Sequence, residues 1–168
     1  MSSRRKHDLT GKSLVGFEVG GVRYALDIRR VREIMRPMPL LSLPHVPETI
    51  VGVVDHRGDV VPVIDLRRRF GLQPLGRERD ARWIVVERGE RLFGLAVDRV
   101  DEVFGVEDSI ERALPKIGAG ERARGMQAAY LHAGRLVFVL DVDELTAVAD
   151  AIEVAEMMQL LPEALRHG

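Results

Sequence analysis

Short apolar runs separated by polar or glycine-bearing turns fill the chain from Leu14 to Leu140. Leu14–Val19 and Val22–Ile28 flank Gly20-Gly21, a two-residue hairpin signal. Gly52 to Leu66 reads G-V-V-D-H-R-G-D-V-V-P-V-I-D-L, which predicts a strand, a tight turn at Asp55–Gly58, a second strand and then a helix cap. Asp65 followed by L-R-R-R-F-G predicts an N-cap, one short helix and a stop at Gly71. Arg82–Glu87 and Leu92–Val97 predict another hairpin, which Val100–Val106 continues, and Met126–His132 with Arg135–Leu140 predicts the last. Asp141 caps a helical segment, D-V-D-E-L-T-A-V-A-D.

The connecting stretches are less regular. Arg29–Glu33 has room for a single turn. Ile34–Leu43 contains Pro37 and Pro39 and reads as an edge strand or an extended loop. The proline-broken L-P-H-V-P-E-T-I wraps the outside of a barrel. Pro115, Gly118, Gly120 and Gly125 exclude a long regular element from 107–125. Residues 1–13 read as a flexible lead, 73–82 as a linker, and 151–161 as an amphipathic helix that covers a barrel edge or recruits a partner.

Two blocks repeat. Y-A-L-D-I-R-R-V-R-E-I from Tyr24 returns 69 positions later as F-G-L-A-V-D-R-V-D-E-V, pairing Val31 with Val100 and Glu33 with Glu102. The Gly52 hairpin returns 76 positions later, pairing His56 with His132, Gly58 with Gly134 and Asp65 with Asp141. The chain is therefore read as mainly β, two pseudo-repeated five-stranded β-barrels of about 14–75 and 82–146, followed by a helical tail at 147–168. Arg57 has no counterpart, because Ala133 stands at the equivalent tip. That places function on the first copy.

Composition narrows the function classes. With 25 basic against 26 acidic residues and 5% aromatics, the chain lacks the basic face and stacking rings of a nucleic-acid binder, the alternative function for such barrels. The absence of cysteine excludes disulfides and thiolate metal sites and fits a reducing compartment. No apolar run of membrane-spanning length occurs, so a cytoplasmic location is expected. G-x-x-x-x-G-K-[ST], G-x-S-x-G and H-E-x-x-H are all missing, and the five histidines are scattered. No catalytic, cofactor or metal residues are expected. Asp55 and His56 are sequence neighbours whose side chains leave a strand on opposite faces, so they make no ready dyad. Asp65 and Asp141 are helix caps, and Arg67, Arg68 and Arg69 form a solvated face. Val31, Ile34 and Met35 are core or exposed patch; the segment is too short for periodicity to decide.

The blocks Y-A-L-D-I-R-R-V-R-E-I-M, V-P-E-T-I-V-G-V-V-D-H-R-G-D-V-V-P-V-I-D-L-R-R-R-F-G-L, L-F-G-L-A-V-D-R-V-D-E-V and G-R-L-V-F-V-L-D-V-D-E-L resemble the CheW family of chemotaxis coupling proteins, from about Phe17 to Leu145. Family members usually carry Asn-Leu where this chain has Asp55-His56. The resemblance implies two intertwined SH3-like barrels and no enzymatic activity. It implies two partners, the regulatory domain of a CheA-type histidine kinase and the cytoplasmic tip of a methyl-accepting chemoreceptor, reached without nucleic acid or membrane insertion. Carried over by motif, the receptor-facing residues are Val31, Glu33, Ile34, Gly52, Asp55, His56 and Arg57. Arg57 suits the role because its planar fork can hold a carboxylate or carbonyls. Val31 and Ile34 would supply the apolar part of a helix-in-groove contact.

Overall fold

The computed structural model describes residues 9, 11–74, 78–114 and 125–150. Eleven strands are found among them: β1 (Ser13–Val19), β2 (Val22–Asp27), β3 (Val31–Met35), β4 (Ile50–His56), β5 (Asp59–Asp65), β6 (Arg82–Arg88), β7 (Arg91–Val97), β8 (Arg99–Gly105), β9 (Ile110–Arg112), β10 (Met126–His132) and β11 (Arg135–Leu140). Two short helices, α1 (Leu66–Arg69) and α2 (Val142–Thr146), follow β5 and β11. Asp65 and Asp141 cap them, each accepting from the backbone N–H two residues on at 2.9 Å.

The hairpins lie where the alternation placed them. Gly20 and Gly21 both take positive φ, as a two-residue turn matched to strand twist requires. β3 stops at Met35 on the edge of its sheet, and 36–43 continue outside any strand apart from one bridge at Leu41, so Ile34–Leu43 divides between the two conformations open for it. The short β9 falls inside 107–125, where no long element was expected. The expected 151–161 helix lies outside the described residues.

The strands form two sheets, which curl into SH3-like barrels. One has the order β8-β1-β2-β11-β10-β9, the other β3-β6-β7-β5-β4. The first therefore has six strands rather than the expected five. Nor do the sheets follow the expected split into 14–75 and 82–146. β1 and β2 leave the first repeat to sit between β8 and β11, while β6 and β7 leave the second to sit between β3 and β5. Each exchange ends in a parallel pair, β11 on β2 with Val139 opposite Ala25, and β5 on β7 with Val63 opposite Gly94. These two registers superpose under the 69- and 76-residue offsets, so the exchange is itself symmetric. It was hidden because strand pairing is a tertiary property that local alternation does not encode.

The exchange accounts for the burial pattern. β5 is buried from Val60 through Ile64 without alternation, as expected of a strand covered on both faces. Val61 and Val63 pack with Trp83 and Val54, whereas Val60 and Ile64 belong to a larger cluster. That cluster takes Phe17, Tyr24 and Leu26 from one sheet and Ile84, Phe93 and Leu95 from the other, so it binds the barrels together. A third cluster, around Phe104, Tyr130 and Val139, includes Leu9 at 4% exposure. The stretch 1–13 is thus not wholly a free lead: Leu9 docks, and β1 begins at Ser13.

Candidate functional site

β3 and β4 are the two edges of the five-stranded sheet, and curling brings them together at one rim. There His56 Nε2 lies 2.7 Å from Glu33 Oε2. An ionised carboxylate only accepts, so Nε2 is the donor. This hydrogen bond, with lesser help from the Arg57, His56 and Arg32 charges, holds the Glu33 carboxyl below the usual glutamate range. Arg57 Nη2 reaches Glu33 Oε1 at a longer 3.5 Å, and its side chain is 78% exposed. His56 and Glu33 are far less exposed, at 15% and 30%. A supported acid–base pair thus stands behind a cation that projects into solvent.

The hairpin tip is stiff. Arg57 and Gly58 both have positive φ, at +54° and +85°, and Asp55 Oδ1 accepts from the Gly58 N–H at 3.0 Å. A positive φ at arginine carries a modest cost that the surrounding ladder must hold. The matching tip in the other barrel has Ala133 and Gly134 at +50° and +75°. Behind it, His132 Nε2 meets Glu102 Oε1 at 3.1 Å, and the imidazole stacks on Phe104 at 4.2 Å between centroids. The repeated histidine and glutamate in the sequence are therefore one repeated contact, a polar clasp at the rim of each barrel.

The expected receptor-facing residues do not form one surface. Glu33, His56 and Arg57 come together. Along β3, Arg32 and Ile34 are exposed while Val31, Glu33 and Met35 are turned inward. Val31 packs on the inter-barrel cluster and Met35 on the Trp83 cluster. Ile34, 42% exposed, is the apolar residue of the set that reaches solvent. Asp55 is used in the turn. Gly52 is buried beneath Leu41, whose N–H and C=O both bond Val53 at 2.9 Å, so it shapes the barrel rather than offering a contact.

The arginine run departs from expectation more sharply. Arg67 does not belong to a solvated face: its Nε and Nη2 hold both Asp98 oxygens at 2.8 and 2.7 Å. Asp98 Oδ2 also accepts from the Gly20 N–H at 2.8 Å. One carboxylate thereby ties α1, the β7–β8 corner and the β1–β2 turn. Asp98 carried no sequence signal, since its partners lie far away in the chain. Arg32, also unanticipated, shares the outer face of β3 with Ile34 and pairs with Glu87 at 2.7 Å; strict alternation along β3 would have exposed it.

Among the described residues, no three histidine or carboxylate side chains converge as a metal set. No helix among them is long and apolar enough to cross a membrane. What the rim offers is recognition chemistry: an exposed guanidinium, a supported carboxylate and an exposed isoleucine.

Comparison with known proteins places this arrangement. The family profile described as the CheW-like domain matches residues 13–150. The chain belongs to the CheW-like family. The chemotaxis protein CheW of Rhizobium meliloti (strain 1021) is 33% identical over 148 residues, 85% of this chain and 93% of that protein. The chemotaxis protein CheW of Helicobacter pylori (strain ATCC 700392 / 26695) is 33% identical over 95 residues; the match takes in 56% of this chain and spans 58% of that relative's length. The crystal structure of the scaffolding protein TtCheW from Thermoanaerobacter tengcongensis superposes with a TM-score of 0.68 at 29% identity, covering 81% of this chain and 88% of that one. The twin-barrel architecture expected from the CheW resemblance is therefore the family's own.

Proposed function

We propose that this CheW-like chain is a non-enzymatic chemotaxis adaptor that couples the cytoplasmic tip of a chemoreceptor to a CheA-type histidine kinase. The observation that carries the reading is the family match over residues 13–150. The rim supports it: Arg57 projects from a stiff turn and Ile34 is exposed on the neighbouring edge strand, an arrangement that suits docking and lacks the nucleophile–base pairing of a catalytic centre. In this reading Arg57 and Ile34 meet the receptor directly. Glu33 and His56 hold the rim behind them, and Val31, Gly52 and Asp55 maintain its shape. The location follows from the partners, a cytoplasmic protein gathered at receptor arrays.

The test is co-sedimentation of the full chain with a receptor cytoplasmic fragment and with the kinase regulatory domain. Both should bind. Arg57→Ala removes a charge-assisted contact, so receptor affinity should fall about tenfold while kinase affinity and the circular dichroism spectrum stay unchanged. Wild-type protein that binds neither partner would overturn the adaptor reading.

A further inference from the structure

Glu33 has two possible partners on the same rim. The His56 imidazole makes the short contact, 2.7 Å, from a strand position laddered to Asp59 and only 15% exposed. Arg57 makes the long one, 3.5 Å, from the tip of a turn with 78% of its side chain in solvent. Exposed ion pairs of that kind contribute little. The opposite barrel repeats the ranking without a tip arginine: Ala133 stands at the tip, His132 meets Glu102 at 3.1 Å, and the arginine that approaches the same oxygen, Arg23, stays at 3.6 Å.

We infer that His56 is a positioning residue that keeps Glu33 from closing on Arg57, and so leaves the Arg57 guanidinium free for an acidic side chain of the docked partner. This inference rests on the adaptor reading for its binding arm only. An arginine has five N–H donors in a planar fork, and a carboxylate close by is its natural bidentate partner. With His56 on one oxygen, Glu33 is held on the imidazole side and offers Arg57 only a stretched single contact. Without His56, the nearest cation to a half-buried carboxylate is Arg57. The two would pair within the chain, and the fork would be spent before a partner arrives. The identity of the residue at position 56 therefore sets how strongly this tip relies on its arginine.

The experiment is a double-mutant cycle with two readouts. Arg57→Ala is introduced into wild type, His56→Leu, His56→Gln and the double variant His56→Leu/Glu33→Gln. Binding to a receptor cytoplasmic fragment is measured for each, with folding checked by circular dichroism. In wild type the arginine should be worth about tenfold in affinity. In His56→Leu it should be worth less than about threefold, because Glu33 already occupies it. His56→Gln, whose amide N–H can still hold Glu33, and His56→Leu/Glu33→Gln, which removes the competing carboxylate, should both restore the larger effect. The second readout needs no partner: ¹⁵N relaxation of the Arg57 Nε–H group. That group should be mobile in wild type and both restored variants, and ordered in His56→Leu. Equal mobility in all four backgrounds would overturn the inference, as would an equal arginine effect in all four. If no form binds the receptor fragment, the adaptor reading fails while the relaxation data still decide the role of His56.

Discussion

Gly52→Ala separates a recognition role from a folding role at a position that the family resemblance assigns to the receptor. Gly52 has φ +154°, where L side chains rarely go, and an added Cβ would stand 2.6 Å from the Leu41 carbonyl oxygen. The backbone conformation costs about 1–3 kcal/mol for a residue with a side chain. The contact is with main chain, so relief requires the 40–41 segment to lift. Lifting it breaks the two 2.9 Å bonds between Leu41 and Val53, at about 1 kcal/mol each. Together these give a loss of about 3–5 kcal/mol, a large part of the 5–15 kcal/mol of a typical domain. In urea the midpoint should fall by roughly 2 M. Hydrogen exchange should show the Leu41 and Val53 amides losing protection ahead of the rest. An unchanged midpoint with both amides still protected would refute the reasoning. Lost receptor binding at full stability would return Gly52 to the contact surface.

The strand exchange makes a different demand: residues 1–76 and 77–168, produced separately, should each remain unfolded and should regain native circular dichroism only when mixed. A folded lone half would contradict the sheet order. Arg67→Met strips Asp98 of its bidentate partner and leaves a half-buried carboxylate, a loss of about 2–3 kcal/mol by urea unfolding; no measurable change would mean that the clasp is ornamental. Glu33 titrates below its ordinary value of 4.5, so its stabilising contribution is complete above that pH and is lost as pH falls through the lower, folded value. Urea midpoints taken below pH 4.5 should therefore fall less steeply for Glu33→Gln than for wild type. Asp65, pushed up by burial from 3.8, acts with the opposite sign: its favourable contribution is present at low pH and is lost as pH rises through the folded value. Asp65→Asn, which keeps an acceptor for the Arg67 N–H, should flatten that opposing slope.

Much of the fold was legible because it is written locally. The Gly20-Gly21 turn, the Arg57-Gly58 tip and the Asp65 and Asp141 caps each depend on residues a few positions apart, and the strands between them follow from apolar runs. What was not legible depends on residues far apart in the chain. Nothing near β1 indicates that it pairs with β8, and nothing near Arg67 announces Asp98. The arginine run looked solvated because charge runs on short helices usually are. The Gly20 amide and the β7–β8 corner converge on α1 only once the barrels have exchanged strands.

The duplication explains which part of the site each residue serves. A feature present in both barrels cannot by itself distinguish the Arg57 rim from its twin, so the shared features are best assigned to building a barrel. The two-residue tips with positive φ, the aspartate caps and the histidine–glutamate clasps all fall in this class. The clasp has a physical reason to recur, because an edge strand with unpaired backbone groups needs closing wherever a sheet curls back on itself. What remains after that subtraction is small: Arg57 against Ala133, and the neighbours that decide whether its guanidinium is free. Two tips of nearly equal backbone geometry, one carrying a cation and one a methyl group, make the arginine an addition to a finished scaffold. In the proposed reading, then, recognition and folding meet at one group, the Glu33 carboxylate, which the clasp holds at 2.7 Å and which stands 3.5 Å from the cation it would otherwise occupy.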